Sequence, residues 1–399
     1  MARTAVDYDK FFVKPFKEPV IRPPQPRIDF GGANPGPDVV PIKDMAEEAR
    51  LALLKYGEQL SLYPPAQGSP GLRDLIAQKM VEYRGFPGSI TRDDILITNG
   101  SIHGIALTLE CLVKPGDVII TDKFFYQGAV TQFRKAGAEM VTVAGDDEGM
   151  RMDILEEKLA DLKKRRKKVK FIYTIPSPQN PDGSIMPVDR RTKMLELADK
   201  YDTLILEDDC YAFMMLDIDG LPPAIASLPG GRERVVYLFT FSKIIGPGIR
   251  IGWAYSNPKL LQYLTGYKQD GGANYLSSMI VQTFLEDKMA TRVPEVNALM
   301  RRKRDAVAAA LGEHFGPAVE FESPVAGMYI WAKFPDGADM QALEPKAMEK
   351  GVRFLSGPNF SPEGEGKNLA RFNYSFPRLD QIDEGIGIVA EAAKKSGII

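Results

Sequence analysis

Six short and almost uninterrupted apolar runs alternate with helical patterns between about residues 43 and 285, and this alternation restricts the fold more than any other feature. The runs are "DILIT" at 94–98, "DVIIT" at 117–121, "EMVTV" at 139–143, "KFIYTI" at 170–175, "TLILED" at 203–208 and "RVVYLFT" at 234–240. Segments with helical spacing, such as "RTKMLELADKYD" at 191–202, separate them. Apolar strands joined by helices are typical of a mostly parallel sheet covered on both faces. The sequence therefore predicts an α/β fold.

The two ends of the chain differ from this alternating region. Proline is frequent in the first 40 residues, and "VIRPPQPRIDFGGANPGPDVVP" at 20–41 is too interrupted for a helix or a central strand. Toward the other end, a predicted long helix over 293–316 is followed by alternating strands such as "GMYIWAKF" and "LARFNYSF", and then by a closing helix. We therefore predict three parts, an N-terminal arm at 1–42, a large domain at 43–289 and a smaller α+β domain at 290–399.

The charge balance and the cysteine content restrict the function. The 399 residues include 51 lysines and arginines against 53 acidic residues, a net charge of −2, which indicates neither a nucleic-acid nor a membrane partner. Cys111 and Cys210 cannot form a disulfide framework, which favours a reducing cytoplasm. The N-terminus lacks the apolar core of an export signal, and no stretch reaches the ~18 apolar residues of a membrane span. We therefore expect a cytoplasmic protein that acts on small molecules, with no metal.

Polar residues follow five of the predicted strands. In an open parallel sheet, the loops that follow the strands lie at the carboxyl edge of the sheet, where ligands bind. Most of these polar residues also have an explanation that needs no ligand. Asn-Gly-Ser is common in turns and helix caps, Asn-Pro is common in turns, and a loop tyrosine often packs against the core. A carboxylate that ends a buried strand, however, is unfavourable unless it meets a cation. The residues are Asn99, Gly100, Ser101, Tyr126, Gln179, Asn180, Asp208, Asp209, Tyr211, Thr240, Ser242, Lys243 and Arg250.

One ligand suits all five loops, because together they offer sites for a phosphate, a flat ring, a cationic ring nitrogen and a carbonyl that a lysine can attack. Pyridoxal 5′-phosphate (PLP) has all four groups. The chain resembles the fold-type-I PLP enzymes, and specifically the class I/II aminotransferases of the α-aminoadipate and kynurenine type. The resemblance extends from about residue 28 to the C-terminus, and its most specific segments are "FSKIIGPGIRIG" at 241–252, "QNPDG" at 179–183 and "EDDCY" at 207–211.

The resemblance implies a role for each of these residues. Lys243 would form a Schiff base with the cofactor aldehyde, and Asp208 would pair with the pyridine nitrogen and keep it protonated. Asn180 and Tyr211 would contact the ring hydroxyl, and Tyr126 would stack on the ring. The implied phosphate ligands are Gly100, Ser101, Thr240, Ser242 and Arg250, together with Tyr63 from the other subunit of a homodimer.

The resemblance also implies a substrate site. Arg371, in "NLARFNYSF" at 368–376, would form a bidentate pair with the substrate α-carboxylate. Gly31 and Gly32 match a small-residue stretch that admits the substrate backbone. Two positions depart from the family pattern, since Ile102 stands where glutamine is common and Asp182 where threonine is common.

The expected reaction is the transfer of an amino group from an L-amino acid to a 2-oxo acid. The substrate amine would displace Lys243 from the cofactor, and the freed lysine would then remove the α-proton as general base. Elimination, oxidation or cyclisation of an amino acid would use the same residues, so these alternatives stay open. A ligand-sensing domain of a transcription regulator is a further alternative, and it is disfavoured because no DNA-binding domain precedes residue 28.

His103 lies next to the predicted phosphate loop in the sequence, and Asp270 lies in the segment after the predicted Lys243 loop. His103 is interpreted as a packed or capping histidine rather than a proton shuttle. Asp270, in "YKQDGGANYLSS" at 267–278, would repel a dicarboxylic substrate if it faced the pocket, which favours a neutral or basic amino donor. A solvated loop carboxylate is the alternative, and Arg22 in the arm could supply a cation for a dicarboxylic substrate.

Overall fold

The computed structural model describes Asp7, Lys10 and residues 25–398. The helices are α1 Ile42–Tyr56, α2 Pro70–Arg84, α3 Ser101–Leu112, α4 Gln127–Ala136, α5 Met152–Lys164, α6 Val188–Lys200, α7 Gly231–Arg234, α8 Pro258–Tyr267, α9 Tyr275–Asp287, α10 Met289–Phe315, α11 Met340–Glu349 and α12 Leu379–Lys395. The strands are β1 Ile28–Asp29, β2 Ile95–Thr98, β3 Val118–Asp122, β4 Glu139–Val143, β5 Gly145–Asp146, β6 Gly149–Met150, β7 Val169–Thr174, β8 Leu204–Asp208, β9 Val235–Thr240, β10 Gly252–Tyr255, β11 Tyr329–Lys333, β12 Val352–Arg353, β13 Leu355–Ser356 and β14 Leu369–Asn373.

The central sheet has the strand order β2-β10-β9-β8-β7-β3-β4, and it contains all six predicted strands. Neighbouring strands run parallel from β9 through β8, β7 and β3 to β4, whereas β10 is antiparallel to both β2 and β9. Only residues 241–251 connect β9 to β10. A parallel crossover needs a dozen or more residues and usually a helix, so this short connection returns antiparallel. The α/β prediction is confirmed, with one strand that was not predicted.

The apolar character of the strands follows from burial on both faces of the sheet. In β2, Leu96 belongs to one hydrophobic cluster, while Ile95 and Ile97 belong to another on the opposite face. The same alternation separates Leu206 from Ile205 in β8. Because successive side chains point to opposite faces, a strand covered on both sides must be apolar at every position.

The C-terminal region packs around a small antiparallel sheet with the order β11-β14-β13. The helix predicted at 293–316 lies within α10, Met289–Phe315, and α10 packs against α12. Strand β1 pairs in parallel with β12, and Asn373 N donates to Phe30 O at 2.8 Å. Residues 28–36 are therefore fixed to the C-terminal region, beside the central sheet. Most of the predicted arm, including residues 11–24, lies outside the described residues.

None of the helices in the described part of the chain is long and apolar enough to cross a membrane.

Candidate active site

The loops that carry the predicted site residues meet at the carboxyl edge of the central sheet. In the sheet register Gly252 lies opposite Thr98 on one side and opposite Thr240 on the other. The turns that follow β2 and β9 are therefore brought side by side. A Cβ at Gly252 would lie 2.8 Å from the Gly100 Cα, so glycine is needed for this approach.

These adjacent turns form a cradle for an anion. Gly100 precedes α3 with φ +80°, a backbone conformation that favours glycine, and a Cβ there would lie 2.7 Å from Arg250 Nη2. The Thr240 and Ser242 hydroxyls are 2.8 Å apart, and Arg250 Nη2 donates to Asn99 O at 2.5 Å. The N-terminus of α3, which begins at Ser101, adds free N–H groups and a positive dipole end. Two hydroxyls, a guanidinium and a helix N-terminus suit a phosphate dianion.

Lys243 and Asp208 lie beside this cradle. Lys243 follows β9 in a short 3₁₀ helix, Phe241–Lys243, and its Nζ donates to Ala33 O. Its Nζ lies 5.5 Å from the centroid of the Tyr211 ring, and its partial burial lowers its pKa. A lowered pKa leaves more of the amine unprotonated and nucleophilic at neutral pH.

Asp208 ends β8 and is only 1% exposed. Its Oδ2 accepts a hydrogen bond from the Tyr173 hydroxyl at 3.2 Å, whereas its Oδ1 has no hydrogen-bond partner among residues 25–398. Burial raises the pKa of Asp208 to about 6. A buried carboxylate oxygen without a donor is unfavourable, so this atom suits a cationic ligand group such as a protonated ring nitrogen.

Asn180, Tyr211 and Arg371 form one hydrogen-bonded chain. Arg371 Nη1 donates to Asn180 Oδ1 at 2.8 Å, and Asn180 Nδ2 donates to the Tyr211 hydroxyl at 3.2 Å. Arg371 Nη2 donates to the carbonyls of Gly31 and Gly32, at 2.8 and 3.1 Å. The Nε of this fully buried arginine has no partner in the described part of the chain. An unpaired buried donor suits an anionic ligand group such as a carboxylate.

Two predicted aromatic residues differ in their positions. Tyr126 directly precedes α4, and burial together with the nearby Asp208 carboxylate raises the pKa of its phenol to about 12. Tyr63 follows the 3₁₀ helix Gly57–Ser61, is 94% exposed, and forms no hydrogen bond within the described residues. The chain therefore brings together the predicted site residues with the exception of Tyr63, whose exposed side chain takes no part in these contacts.

The sequence did not indicate Tyr173, Tyr329 or Phe360 as site residues. Tyr173 reaches Asp208 from β7, and the Tyr329 hydroxyl lies 2.8 Å from that of Tyr211. The rings of Tyr329 and Phe360 lie 4.0 and 4.6 Å from the Arg371 guanidinium carbon. Each is an aromatic residue in a largely apolar segment, so its residue type alone predicts only packing in the core.

His103 and Asp270 lie near the anion cradle. His103 Nδ1 accepts a hydrogen bond from Asn99 N at 3.2 Å, consistent with the capping interpretation, and burial lowers the pKa of the imidazole. Asp270 Oδ1 accepts from Lys268 Nζ at 2.7 Å, and its Oδ2 accepts from Asn99 Nδ2 at 3.2 Å. Lys268 thus offsets the Asp270 charge, which reduces the repulsion expected for an acidic substrate. Arg22, the cation in the arm that could bind a dicarboxylic substrate, lies outside the described residues.

In the part of the chain that the structure describes, no group of three or more histidine, cysteine, aspartate or glutamate side chains is arranged to hold a metal ion.

Comparisons with known proteins agree on one family. The model of the family "Aminotransferase class I and II" matches residues 31–379, a range that includes the predicted site residues from Gly32 to Arg371. The chain is 36% identical over 371 residues to aromatic-amino-acid aminotransferase 1 of Thermococcus litoralis, which covers 92% of this chain and 88% of that protein.

Two solved structures are similar over almost the whole chain. A kynurenine aminotransferase of Pyrococcus horikoshii in complex with PMP has a TM-score of 0.87 and 32% identity, covering 92% of this chain and 91% of that one. An alpha-aminoadipate aminotransferase of Thermus thermophilus, complexed with N-(5′-phosphopyridoxyl)-L-leucine, has a TM-score of 0.84 and 30% identity, covering 93% and 92%.

Proposed function

The chain belongs to the class I and II aminotransferases, and from this we propose which residues carry its reaction and which amino acids it uses. The protein is a PLP-dependent enzyme that moves an amino group from an amino acid to a 2-oxo acid. Its individual residue roles and its amino donor are proposals.

One observation carries the proposed assignment of roles. Within residues 25–398, the site contains an acceptor without a donor, Asp208 Oδ1, and a donor without an acceptor, Arg371 Nε, both fully or almost fully buried. Asp208 Oδ1 is complementary to a cationic ring nitrogen, and Arg371 Nε to a substrate carboxylate. Natural proteins rarely leave buried polar atoms without a hydrogen-bond partner. A cofactor with a cationic ring nitrogen and a substrate with a carboxylate would together supply both missing partners.

The cofactor would be held by groups that match its parts. We assign its phosphate to Gly100, Ser101, Thr240, Ser242 and Arg250, because these residues form the anion cradle. Bound PLP supplies an electron sink that stabilises the negative charge left when the substrate loses its α-proton. Asp208 keeps the ring nitrogen protonated, Tyr126 covers the ring, and Asn180 and Tyr211 hold the ring oxygen.

Lys243 then has two roles. Its Nζ would hold the cofactor aldehyde before the substrate binds, and afterwards would accept the proton from the substrate α-carbon and deliver it to the former aldehyde carbon of the cofactor. The pKa lowered by burial supports the second role, because a base must be unprotonated to accept a proton. Arg371 binds the substrate α-carboxylate, while Gly31 and Gly32 leave room for the substrate backbone.

We assign a neutral or basic amino acid, aromatic donors included, as the preferred amino donor over a short dicarboxylic one. Two observations support this preference. The relative from Thermococcus litoralis is named for aromatic amino acids, and Lys268, a cation close to the cradle, is already paired with Asp270. That pairing leaves Lys268 less able to bind a distal carboxylate.

The enzyme is proposed to be a cytoplasmic homodimer with shared active sites. Tyr63 is 94% exposed, and Leu54 and Leu62 nearby are 72% and 64% exposed, an apolar surface that a second copy would cover. Tyr63 would then reach the phosphate of the partner subunit. Both cysteines are free, which supports a reducing compartment. The boundary between the large domain, 43–289, and the smaller domain, 290–399, is proposed to lie at the start of α10.

The most direct test is a single-turnover experiment on the PLP-loaded enzyme. A panel of L-amino acids is mixed with the enzyme, and the loss of the visible cofactor band is followed together with the release of 2-oxo acid. We expect neutral donors to react faster than aspartate or glutamate, with one 2-oxo acid formed per site. Fastest reaction with aspartate or glutamate contradicts the proposed donor. Release of ammonia or consumption of oxygen would instead assign the protein to elimination or oxidation.

A further inference from the structure

Tyr329 is fixed against two of the loops that build the active site. The segment before it passes Gly327, whose φ of +94° requires glycine, and a Cβ there would lie 2.9 Å from Pro178 Cγ. Gly327 N also donates to Met214 O at 2.8 Å, which ties the segment to the turn after Tyr211. Tyr329 itself is 2% exposed. Its side chain is therefore held next to both the Asn180 loop and the Tyr211 turn.

The contacts of Tyr329 close a ring of four residues. Its hydroxyl oxygen lies 2.8 Å from that of Tyr211, and the two aromatic rings meet edge to face with centroids 5.6 Å apart. On its other side, the Tyr329 ring lies 4.0 Å from the guanidinium carbon of Arg371. Arg371 donates to Asn180, and Asn180 donates to Tyr211. The group proposed to bind the substrate carboxylate is thus joined to the group proposed to bind the cofactor oxygen.

The chemistry of these groups determines the direction of each hydrogen bond. Arginine can only donate, so the side-chain oxygen of Asn180 must face Arg371 and its nitrogen must face Tyr211. The Tyr211 oxygen therefore accepts one hydrogen bond from Asn180. It has one further lone pair and one proton of its own.

The Tyr329 hydroxyl has no hydrogen-bond partner other than Tyr211 within residues 25–398. If Tyr211 donated to Tyr329, the Tyr329 proton would be buried without an acceptor, which is unfavourable. If Tyr329 donates to Tyr211, the Tyr329 proton has an acceptor, and the Tyr211 proton is left for an acceptor in the site. With an oxygen acceptor bound there, only the second arrangement satisfies all three groups.

We propose that Tyr329 is a positioning residue that donates its hydroxyl proton to Tyr211, so that Tyr211 donates its own proton to the ring oxygen of the cofactor. This inference rests on the proposed role of Tyr211. The ring of Tyr329 has a second effect, because its face supports the Arg371 guanidinium by a cation–π contact. Tyr329→Phe removes the hydroxyl alone, whereas Tyr329→Leu removes both the hydroxyl and the aromatic ring, so the effect of the ring is the difference between the two variants.

The test measures, in the PLP-loaded enzyme, the midpoint pH at which the visible band of the Lys243-linked cofactor changes. Donation to the ring oxygen stabilises negative charge there and favours the form whose linking nitrogen has lost its proton. Weaker donation should therefore raise the midpoint. For Tyr329→Phe we expect a two- to tenfold change in the acid constant, a rise of about 0.3 to 1 pH unit, because one neutral hydrogen bond is lost.

A double-mutant cycle identifies the path of this effect. Tyr211→Phe should raise the midpoint further, and adding Tyr329→Phe to it should produce no additional rise. Tyr374→Phe is the matched control, since Tyr374 is also fully buried but its hydroxyl has no hydrogen-bond partner in the described chain, so its midpoint should equal that of the parent. Tyr329→Leu should in addition raise the KM for the amino donor, whereas Tyr329→Phe should leave KM nearly unchanged.

Two results would overturn the inference. The first is an unchanged midpoint in Tyr329→Phe, and the second is an equal rise in the presence and absence of the Tyr211 hydroxyl. If Tyr211→Phe alone leaves the midpoint unchanged, the proposed role of Tyr211 is also wrong. A shift with Tyr211→Phe but none with Tyr329→Phe refutes only the positioning role.

Discussion

Replacing Asp208 by asparagine should stabilise the enzyme without its cofactor and destabilise the enzyme that holds it. Asparagine has nearly the same shape and keeps an oxygen that can accept the Tyr173 hydroxyl. The change therefore removes the buried negative charge of Asp208 and little else. Without a cofactor, one oxygen of this charge has no hydrogen-bond donor among residues 25–398, whereas with PLP bound the charge would face the cationic ring nitrogen.

The magnitude follows from the pKa of Asp208, which burial raises from 3.8 to about 6. The folded state thus binds this proton more tightly than the unfolded chain does. Below pH ~4 the carboxyl is protonated in both states and has no effect on stability. Between pH ~4 and ~6 the folded state loses stability as the pH rises, and above that range the loss reaches about 3 kcal/mol, since each pKa unit corresponds to ~1.4 kcal/mol.

Urea unfolding of the cofactor-free enzyme at two pH values checks this reasoning. At about pH 7.5 Asp208→Asn should be more stable than the parent by up to ~3 kcal/mol, and at about pH 5 roughly half of that gain should remain. Asp219→Asn is the control, because the same chemical change at an exposed residue should leave the unfolding curve unchanged. With saturating PLP the order should reverse. A cofactor-free variant that is less stable than the parent, or a gain that does not depend on pH, would refute the argument.

Three other substitutions test separate parts of the site. Lys243→Ala should abolish turnover while PLP stays bound noncovalently. In the parent enzyme, borohydride reduction followed by peptide mapping should find the label on Lys243, and a label on another lysine would contradict its assignment as the cofactor-binding lysine. Arg84→Met should lower the free energy of unfolding by about 3–5 kcal/mol, because the fully buried Asp209 side chain loses its cationic partner at 2.7 Å and keeps only the Tyr237 hydroxyl among residues 25–398. The added change Asp209→Asn should recover much of this loss in urea unfolding, and no recovery would show that the unpaired Asp209 charge is not its cause. Arg371→Lys should raise the KM for the amino donor at least about tenfold, because lysine cannot bind a carboxylate with two parallel hydrogen bonds; an unchanged KM in steady-state kinetics would exclude Arg371 from that role.

The strands of the central sheet were largely predictable because each is buried on both faces. That burial makes a strand apolar at every position, and the signal is visible in a single sequence. Strand β10 could not be predicted because it directly follows the turn at 246–251, and its direction depends on the length of the connection from β9. The loop residues were predictable for a related reason, since polar side chains directly after buried strands must lie at the sheet edge.

Tyr173 and Tyr329 could not be identified as site residues from the sequence. Each lies within a strand, where residue type indicates only packing, and its role depends on which neighbour its hydroxyl meets. For Tyr329 that neighbour is Tyr211, 118 residues earlier in the chain. Tyr63 is the reverse case, because the sequence indicated it as a site residue and a single chain does not place it there. Its predicted role in a second subunit stays a prediction.

The sequence by itself determined the periodicities of this protein, namely which segments are strands and helices and which polar residues follow the strands. These are local properties, because burial acts on each residue according to its neighbours along the chain. The tertiary structure decided which distant groups meet. Arg371 contacts Asn180 across 191 residues, and it is joined to Gly31 across 340 residues, because β14 packs beside the N-terminal segment. Contacts at such separations depend on the packing of whole elements, and no short pattern in the chain records them.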